Sequence, residues 1–437
     1  MKTNNRRDFL KKSAGAASLG AMIAANSWAS ANDAVRIGVV GLKGRGVDHI
    51  KSFGEQKNVE VAALCDVDEK ILNQRAEELK DFLKNPVKKF TDVREMLKDK
   101  EIDAISIATP NHWHAIIGIW SCQAGKDVYV EKPCCHNLAE GQKLLEASRK
   151  YDRIVQHGTQ SRCSAAIREA IDNIRSGAIG EVYYAKGICY KWRDTIGHKP
   201  EAPEPVEFHY DLWTGPAKKL PFTENRYHYN WHWQWNYGNG DIGNQGVHEM
   251  DVARWGLGVE LPSAAQALGG HFMFDDDQET PNCLVASFKY PQENKMLVFE
   301  VRHWITNDEI DSKDENTVGV VFLGSKGYIV TDRWGERYRM YMGRERKLVK
   351  EKKDAGNPFA NFIKAVRSRK REDQQAEIRE GYLSVAHIHL ANAAYRVERT
   401  LHFDAQTQKC LNDDEANAIL YGQVRSYRAP YLLPEEI

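Results

Sequence analysis

Neither sign of charge is in excess in this 437-residue sequence: Lys and Arg together number 61, and so do Asp and Glu. No net field therefore draws the chain toward nucleic acid or an anionic membrane, and a small neutral or modestly charged ligand is the better-matched partner. No internal repeat and no low-complexity linker interrupts it. The eight cysteines lack the spacing of a disulfide framework, and the neighbours Cys134 and Cys135 would strain to pair with each other. Free, mostly buried thiols are expected instead.

Long apolar runs are absent as well. The first residues, "NNRRDFLKKSAGAASLGAMIAANSWASA", carry the Arg6-Arg7 pair, a weakly apolar Ala/Gly/Ser run and the small residues Ala29-Ser30-Ala31. The run is too short and too Ala-rich to span a bilayer. A charged head, an apolar centre and a small-residue cleavage site resemble a twin-arginine (Tat) export signal over 1–31, with a short amphipathic helix or retained anchor as the alternative. The expectation is a periplasmic mature protein, not inserted in the membrane once the signal is removed. Tat export carries proteins already folded in a reducing cytoplasm, in keeping with free thiols.

What is present is length for two hydrophobic cores. From Val35, short strands that are apolar throughout ("VRIGVV", "VEVAAL", "AISIA", "VYV") alternate with helical segments. That pattern means a parallel sheet covered on both faces, a doubly wound α/β domain over 32–155. Beyond it come a helix near 164–176, a long aromatic stretch, half-apolar strands between 264 and 331 and helices near 357–367 and 379–398. The expected fold is an N-terminal Rossmann sheet followed by an α+β domain (156–400) with a large open mixed sheet, then an extended tail (401–437). "FLGSKGYIV" reads as a hairpin.

The first strand runs into Gly41-Leu42-Lys43-Gly44-Arg45-Gly46 and then a helix, where a dinucleotide fold places its phosphate-binding turn. The match to G-x-G-x-x-G is imperfect, since Lys43 stands at the second glycine. Asp66 ends the second strand 20 residues after Gly46, where a carboxylate accepts the adenosine ribose hydroxyls and repels a 2′-phosphate, favouring NAD over NADP. Its alternative role is to cap the next helix, which the Asp68–Glu69 region could do equally well. Two more stretches, "ATPNHWH" and "VEKP", fall at the ligand-binding ends of later strands, adding Thr109, Asn111, His114, Glu131 and Lys132 as cofactor contacts.

The Rossmann start, "TPN", Glu131-Lys132-Pro133, "IRSGAIGEV", "DLWTGPA" and "GNGDIGNQGVHEMDVARW" together resemble the Gfo/Idh/MocA oxidoreductase family over essentially the whole mature chain. The resemblance implies a nicotinamide cofactor, a sugar or cyclitol substrate, a homodimer or homotetramer and a catalytic lysine at Lys132. A lysine beside a cationic nicotinamide should have a lowered pKa and can share in proton transfer; an exposed lysine at a helix start is the alternative. The family's second element is an Asp with a His four residues on, which one helix would present on one face. Here the pair is Asn244 and His248. Asn244 can hydrogen-bond a hydroxyl but cannot take its proton, so base work falls to His248 with Lys132 assisting. Asp251 either orients His248 or meets Arg254.

Substrate contacts are assigned to Gln160, Arg162, His228, Trp231, His232, Asn244 and His248. The stretch "YHYNWHWQWNY" places an aromatic at every odd position from Tyr227 to Tyr237. Alternation of period two reads as a strand burying an aromatic face, or as a platform on which sugar rings stack, with odd positions packing and even ones bonding hydroxyls. The pairs His112/His114, His228/His232 and His387/His389 have metal-compatible spacing but no convincing acidic or thiol partner, so no metal is expected. The expected activity is NAD-dependent oxidation of a secondary hydroxyl of a sugar, glycoside or cyclitol, the cofactor tightly held and recycled in place. One alternative is a glycosidase working by transient oxidation, elimination and re-reduction; another is a non-catalytic sugar-binding protein.

Overall fold

The computed structural model describes residues 34–437 except 84, 305–315, 333, 334 and 426, so the expected export signal lies outside the described residues. Six parallel strands, β1 (Val35–Val40), β2 (Val59–Cys65), β3 (Lys88–Phe90), β4 (Ala104–Ile107), β5 (Asp127–Val130) and β6 (Val155–His157), lie in the order β3-β2-β1-β4-β5-β6. Their central members are apolar at nearly every position because helices cover both faces. One covering helix, Pro358–Ser368, comes from 200 residues downstream: Phe359, Phe362, Ile363 and Val366 join Ile37, Phe53 and Tyr129 in one core cluster. Phe359 stacks on Tyr129 with ring centres 5.0 Å apart.

The second sheet has ten strands: β7 (Val182–Lys191), β8 (Ala264–Gly270), β9 (Cys283–Tyr290), β10 (Lys295–His303), β11 (Thr317–Gly324), β12 (Gly327–Asp332), β13 (Arg337–Met342), β14 (Lys347–Lys353), β15 (Leu401–Asp404) and β16 (Lys409–Cys410). Their order is β14-β13-β12-β11-β7-β10-β9-β8-β15-β16. β11 and β12 form the expected hairpin, with Leu323 opposite Tyr328. β7 sits at the centre, parallel to β10 and antiparallel to β11, so Lys191 and His303 end side by side on one edge. Helices Ala165–Arg175, Gly246–Leu257 and Ile378–Val397 cover one face, while Tyr183, Leu268, Val285 and Met296 stay exposed. Among the described residues no helix is long and apolar enough to cross a membrane. All eight cysteines are free and seven are buried.

Only the end of the tail is extended. Residues 401–420 form β15, β16 and helix Asp414–Leu420, and the remainder straps back onto the first domain. There Arg425 and Tyr427 each donate to Glu140 at 2.8 Å, and Tyr431 packs edge-on to Trp113.

Because the downstream helix completes the first core, Phe362→Ala should cost about 3–5 kcal/mol by leaving a cavity there. A drop in the denaturant midpoint checks this; an unchanged midpoint would show the helix to be an accessory.

Candidate active site

Gly41, at φ +85°, has no room for a side chain: a Cβ would lie 2.7 Å from the Ala108 carbonyl oxygen. At Gly46 the same atom would meet the Gly41 oxygen at 1.8 Å, so helix and strand pack as closely as backbone allows. Gly44 faces open space and precedes helix Arg45–Gly54, whose first turn no side chain caps. Free N–H groups and open volume at a helix N-terminus suit a pyrophosphate. Asp66 accepts from the Leu42 N–H at 2.7 Å and the Asp68 N–H at 2.9 Å, and burial pushes its carboxyl up to about 6. The helix cap is Asp68, which accepts from the Ile71 N–H, so Asp66 is spared that role.

Gly41, Gly44, Asp66 and Asp68 line a cleft of about 340 Å³ together with Lys43, Arg45, Thr109, Asn111, His114, Glu131 and Lys132, while Gly46 lies outside that lining and serves the close packing of helix on strand. Thr109 Oγ1 and Asn111 Nδ2 are buried without a partner among the described residues. An open helix N-terminus and two unsatisfied polar groups fit a dinucleotide. Glu131 is a brace: Oε1 accepts from Arg45 Nε at 2.8 Å and faces His49 Nε2 at 3.0 Å, and Oε2 accepts from the Lys132 N–H. The Arg45 guanidinium and His49 hold it well below the usual carboxylate range against its burial. His114 is wedged between the carbonyls of Thr109 and Pro133, both at 2.7 Å.

Lys132 crosses to the second domain, where its ammonium donates to the Asn244 carbonyl at 2.7 Å, with Asn244 Oδ1 at 3.5 Å. Burial pulls Lys132 down to about 8, with Lys191 and Arg45 acting in the same direction and Glu131 opposing. Asn244 and His248 do not share one helix. Asn244 ends the short helix Gly240–Asn244, and His248 belongs to the next, Gly246–Leu257. Asn244 lines the cleft; His248 is not among the lining residues but buried, with Nδ1 unpartnered among the described residues, and burial and Lys132 keep its imidazole neutral.

Asp241, which sequence reasoning missed, organises this edge. Its buried carboxylate accepts from Asn244 Nδ2 (3.1 Å), Arg193 Nε (2.7 Å) and Nη2 (3.1 Å), and meets His303 Nε2 at 2.9 Å. Arg193 holds it well below its ordinary value despite burial. Beside it Lys191 donates to Gln245 Oε1, and Gln245 donates to Glu249, whose carboxyl burial pushes up to about 8. The only signal for Asp241 was its place in the glycine-rich turn three residues before Asn244.

Other expected contacts lie elsewhere. Arg162 forms a buried bidentate pair with Asp251 (2.8–3.0 Å), and Ser384 also donates to that carboxylate. Asp251 therefore meets neither His248 nor Arg254, which pairs with Glu380 instead. Arg162 and Gln160 are not among the residues lining the cleft. The aromatic stretch is no strand but a turn followed by a 3₁₀ helix at Asn230–Trp233. Division by odd and even positions fails with it: His228, Tyr229, Trp231 and His232 line the cleft, while Trp233 and Tyr237 are buried. The remaining histidines hold structure: His112 faces the Trp213 carbonyl, His387 meets Tyr290, and His389 lies 3.6 Å from Cys135 Sγ. Among the described residues no group of three or more His, Cys, Asp or Glu could hold a metal ion.

Comparison with known proteins places this geometry. The family model for the oxidoreductase family's NAD-binding Rossmann fold matches residues 35–159, and that for its C-terminal alpha/beta domain matches 167–267 and 311–431. The chain is 27% identical over 225 residues to the rhizopine catabolism protein MocA of Rhizobium meliloti, covering 52% of this chain and 58% of that one. It is 26% identical over 224 residues to a glycosyl hydrolase family 109 protein of Shewanella baltica (strain OS155 / ATCC BAA-1091), covering 45% and 49%. The chain thus spans about half the length of the curated relatives it matches. The crystal structure of the WlbA dehydrogenase from Bordetella pertussis in complex with NADH and UDP-GlcNAcA shares the fold, with a TM-score of 0.63 at 19% identity over 85% of this chain and 99% of that one. Both halves of the molecule match, and the chain belongs to the Gfo/Idh/MocA oxidoreductase family, whose first domain is an NAD-binding Rossmann fold.

Proposed function

We propose that the chain oxidises a secondary hydroxyl of a sugar, glycoside or cyclitol and keeps its NAD bound, recycling it within one site. The position of Lys132 carries this reading: its amine lies where the NAD cleft meets Asn244, and burial leaves it titrating at about 8. Bound NAD supplies the hydride acceptor for the carbinol carbon. The turn from Gly41 to Gly46 and Asp66 would hold the cofactor, and Thr109 and Asn111 offer it polar groups. As the alcohol becomes a ketone, neutral Lys132 takes the hydroxyl proton, and its ammonium returns a proton when a ketone is reduced. The Asn244 side chain orients the hydroxyl without taking its proton. His248, neutral and with Nδ1 unpartnered among the described residues, supports that proton transfer.

Export along the twin-arginine route belongs to the same proposal and supplies the reason for a retained cofactor, because NAD loaded in the cytoplasm would have to be reused outside it. The exposed face of the ten-stranded sheet is the surface we assign to a homodimer or homotetramer. The likeness to a glycosyl hydrolase family 109 protein favours a second reading, in which transient oxidation acidifies a neighbouring C–H, the glycosidic bond is lost by elimination, water adds and the ketone is reduced.

Lys132 is an ammonium below about pH 8 and an amine above it. Oxidation should therefore rise with pH through about 8 and ketone reduction should fall. Lys132→Ala should lower kcat by about 10²–10⁴-fold and abolish that rise; a variant with the parent's pH profile would remove Lys132 from the chemistry. Mature protein purified without added cofactor should release dinucleotide on denaturation. Cofactor-free protein whose melting temperature ignores NAD would sink the proposal. Aryl glycosides supplied without an acceptor separate the two readings: aglycone release without net NADH indicates the glycosidase, and net keto-sugar formation the oxidoreductase.

A further inference from the structure

A second cavity, of about 480 Å³, opens beside the NAD cleft, and Tyr229 lines both. The wall between them is built around one carboxylate. Asp241 binds Asn244 on the cleft side, while Arg193 and His303, which also hold it, line the outer cavity. A group in the outer cavity thus lies one ion-paired side chain away from the residue that holds Lys132.

The lining of this cavity is specific in its chemistry. Trp192 and Tyr229, half exposed at 50% and 51%, contribute aromatic surface to its lining. The Tyr229 ring is fixed, because Arg193 Nη1 donates to its hydroxyl at 2.9 Å. The lining also holds amides whose carbonyl oxygens remain free among the described residues: the Asn230 amide N–H donates to Asn225 and the Gln278 amide N–H to the Thr280 carbonyl. Arg193 is paired with Asp241 and Lys199 with Glu224, and Asp194 adds a carboxylate whose Oδ1 accepts from the Thr195 N–H. Aromatic side chains, hydrogen-bonded amides and a carboxylate that can accept from hydroxyls suit a ring with apolar C–H faces and equatorial hydroxyls.

We propose that the outer cavity binds the second ring of a glycoside, so that the substrate is a sugar carrying a further glycosyl unit, its reacting ring at Lys132 and its partner ring against Trp192 and Tyr229. This inference rests on the sugar-oxidising function proposed above and names its substrate class.

The test compares matched pairs on the holoenzyme with a redox dye as final acceptor: glucose with cellobiose and maltose, galactose with lactose, N-acetylglucosamine with chitobiose. The disaccharide of the active pair should be turned over with kcat/KM at least tenfold above its monosaccharide. Trp192→Ala and Gln278→Ala lie outside the NAD cleft and should erase that advantage through KM, leaving monosaccharide turnover within about twofold of the parent. Equal kcat/KM for both members of the active pair, or a preference that survives both substitutions, would overturn the inference while leaving sugar oxidation standing. Oxidation of neither member of any pair would fail the underlying function and this inference with it.

Discussion

A single buried carboxylate ties the second domain to the chemistry of the first. Taking Asp241 out of water costs several kcal/mol unless partners repay it, and a pair broken on one side leaves an uncompensated charge. The repayment comes from the ends of two strands that lie parallel, Arg193 just beyond β7 and His303 closing β10. Their register is therefore a condition for the site. The same carboxylate fixes the Asn244 amide, and Asn244 receives the Lys132 ammonium. From the sheet edge the path runs through the Asp241 carboxylate to the Asn244 amide at 3.1 Å, and from the Asn244 main-chain carbonyl to the Lys132 ammonium at 2.7 Å.

The state of Lys132 follows from which charges surround it. Desolvation alone would favour the amine, and Lys191 and Arg45 push the same way. Glu131 opposes them, but Arg45 and His49 already occupy its Oε1, so its negative charge is shared before it reaches the lysine. That balance leaves the group close to the pH range in which proton transfer is most effective. His49 had no signal in the sequence beyond a place on the first helix, and its role became visible only where that helix meets the end of β5.

The first domain was the legible part, and the reason is physical: strands buried on both faces must be apolar throughout, and a turn that brings helix against strand must be glycine, as at Gly41 and Gly46. Lys132 was legible by its motif and its place at a strand end. β7 was not, because Lys186 at its middle is paired with Glu300 on β10 and breaks the apolar run, even though Gly187 there sits tight against Phe299 and Glu249. The aromatic alternation from Tyr227 to Tyr237 misled, since period two specifies a strand only where an edge is available to pair with it. Here the backbone curls, with His228 at φ +58° and a 3₁₀ turn after it. Arg162 and Asp251 lie 89 positions apart, and no local pattern announces a pair closed by tertiary folding.

The way the halves are joined shapes the cofactor cleft. The loop after β2, which carries Asp66, is not left to solvent: the Glu69 N–H donates to the Glu207 carbonyl and the His209 N–H to the Val67 carbonyl, both at 2.9 Å. A short antiparallel bridge between Asp68 and Phe208 therefore seals the adenosine side of the cleft with backbone from the second domain. Tyr227 adds its ring beneath the Lys43 amine, and His228 stands within 4.0 Å of Asp68. On the far side, helix Pro358–Ser368 and the C-terminal strap pin the first domain again. The cofactor cleft is thus walled by backbone from both domains, and the loop that carries Asp66 is held at its shape by hydrogen bonds that two domains joined only by a hinge would lack.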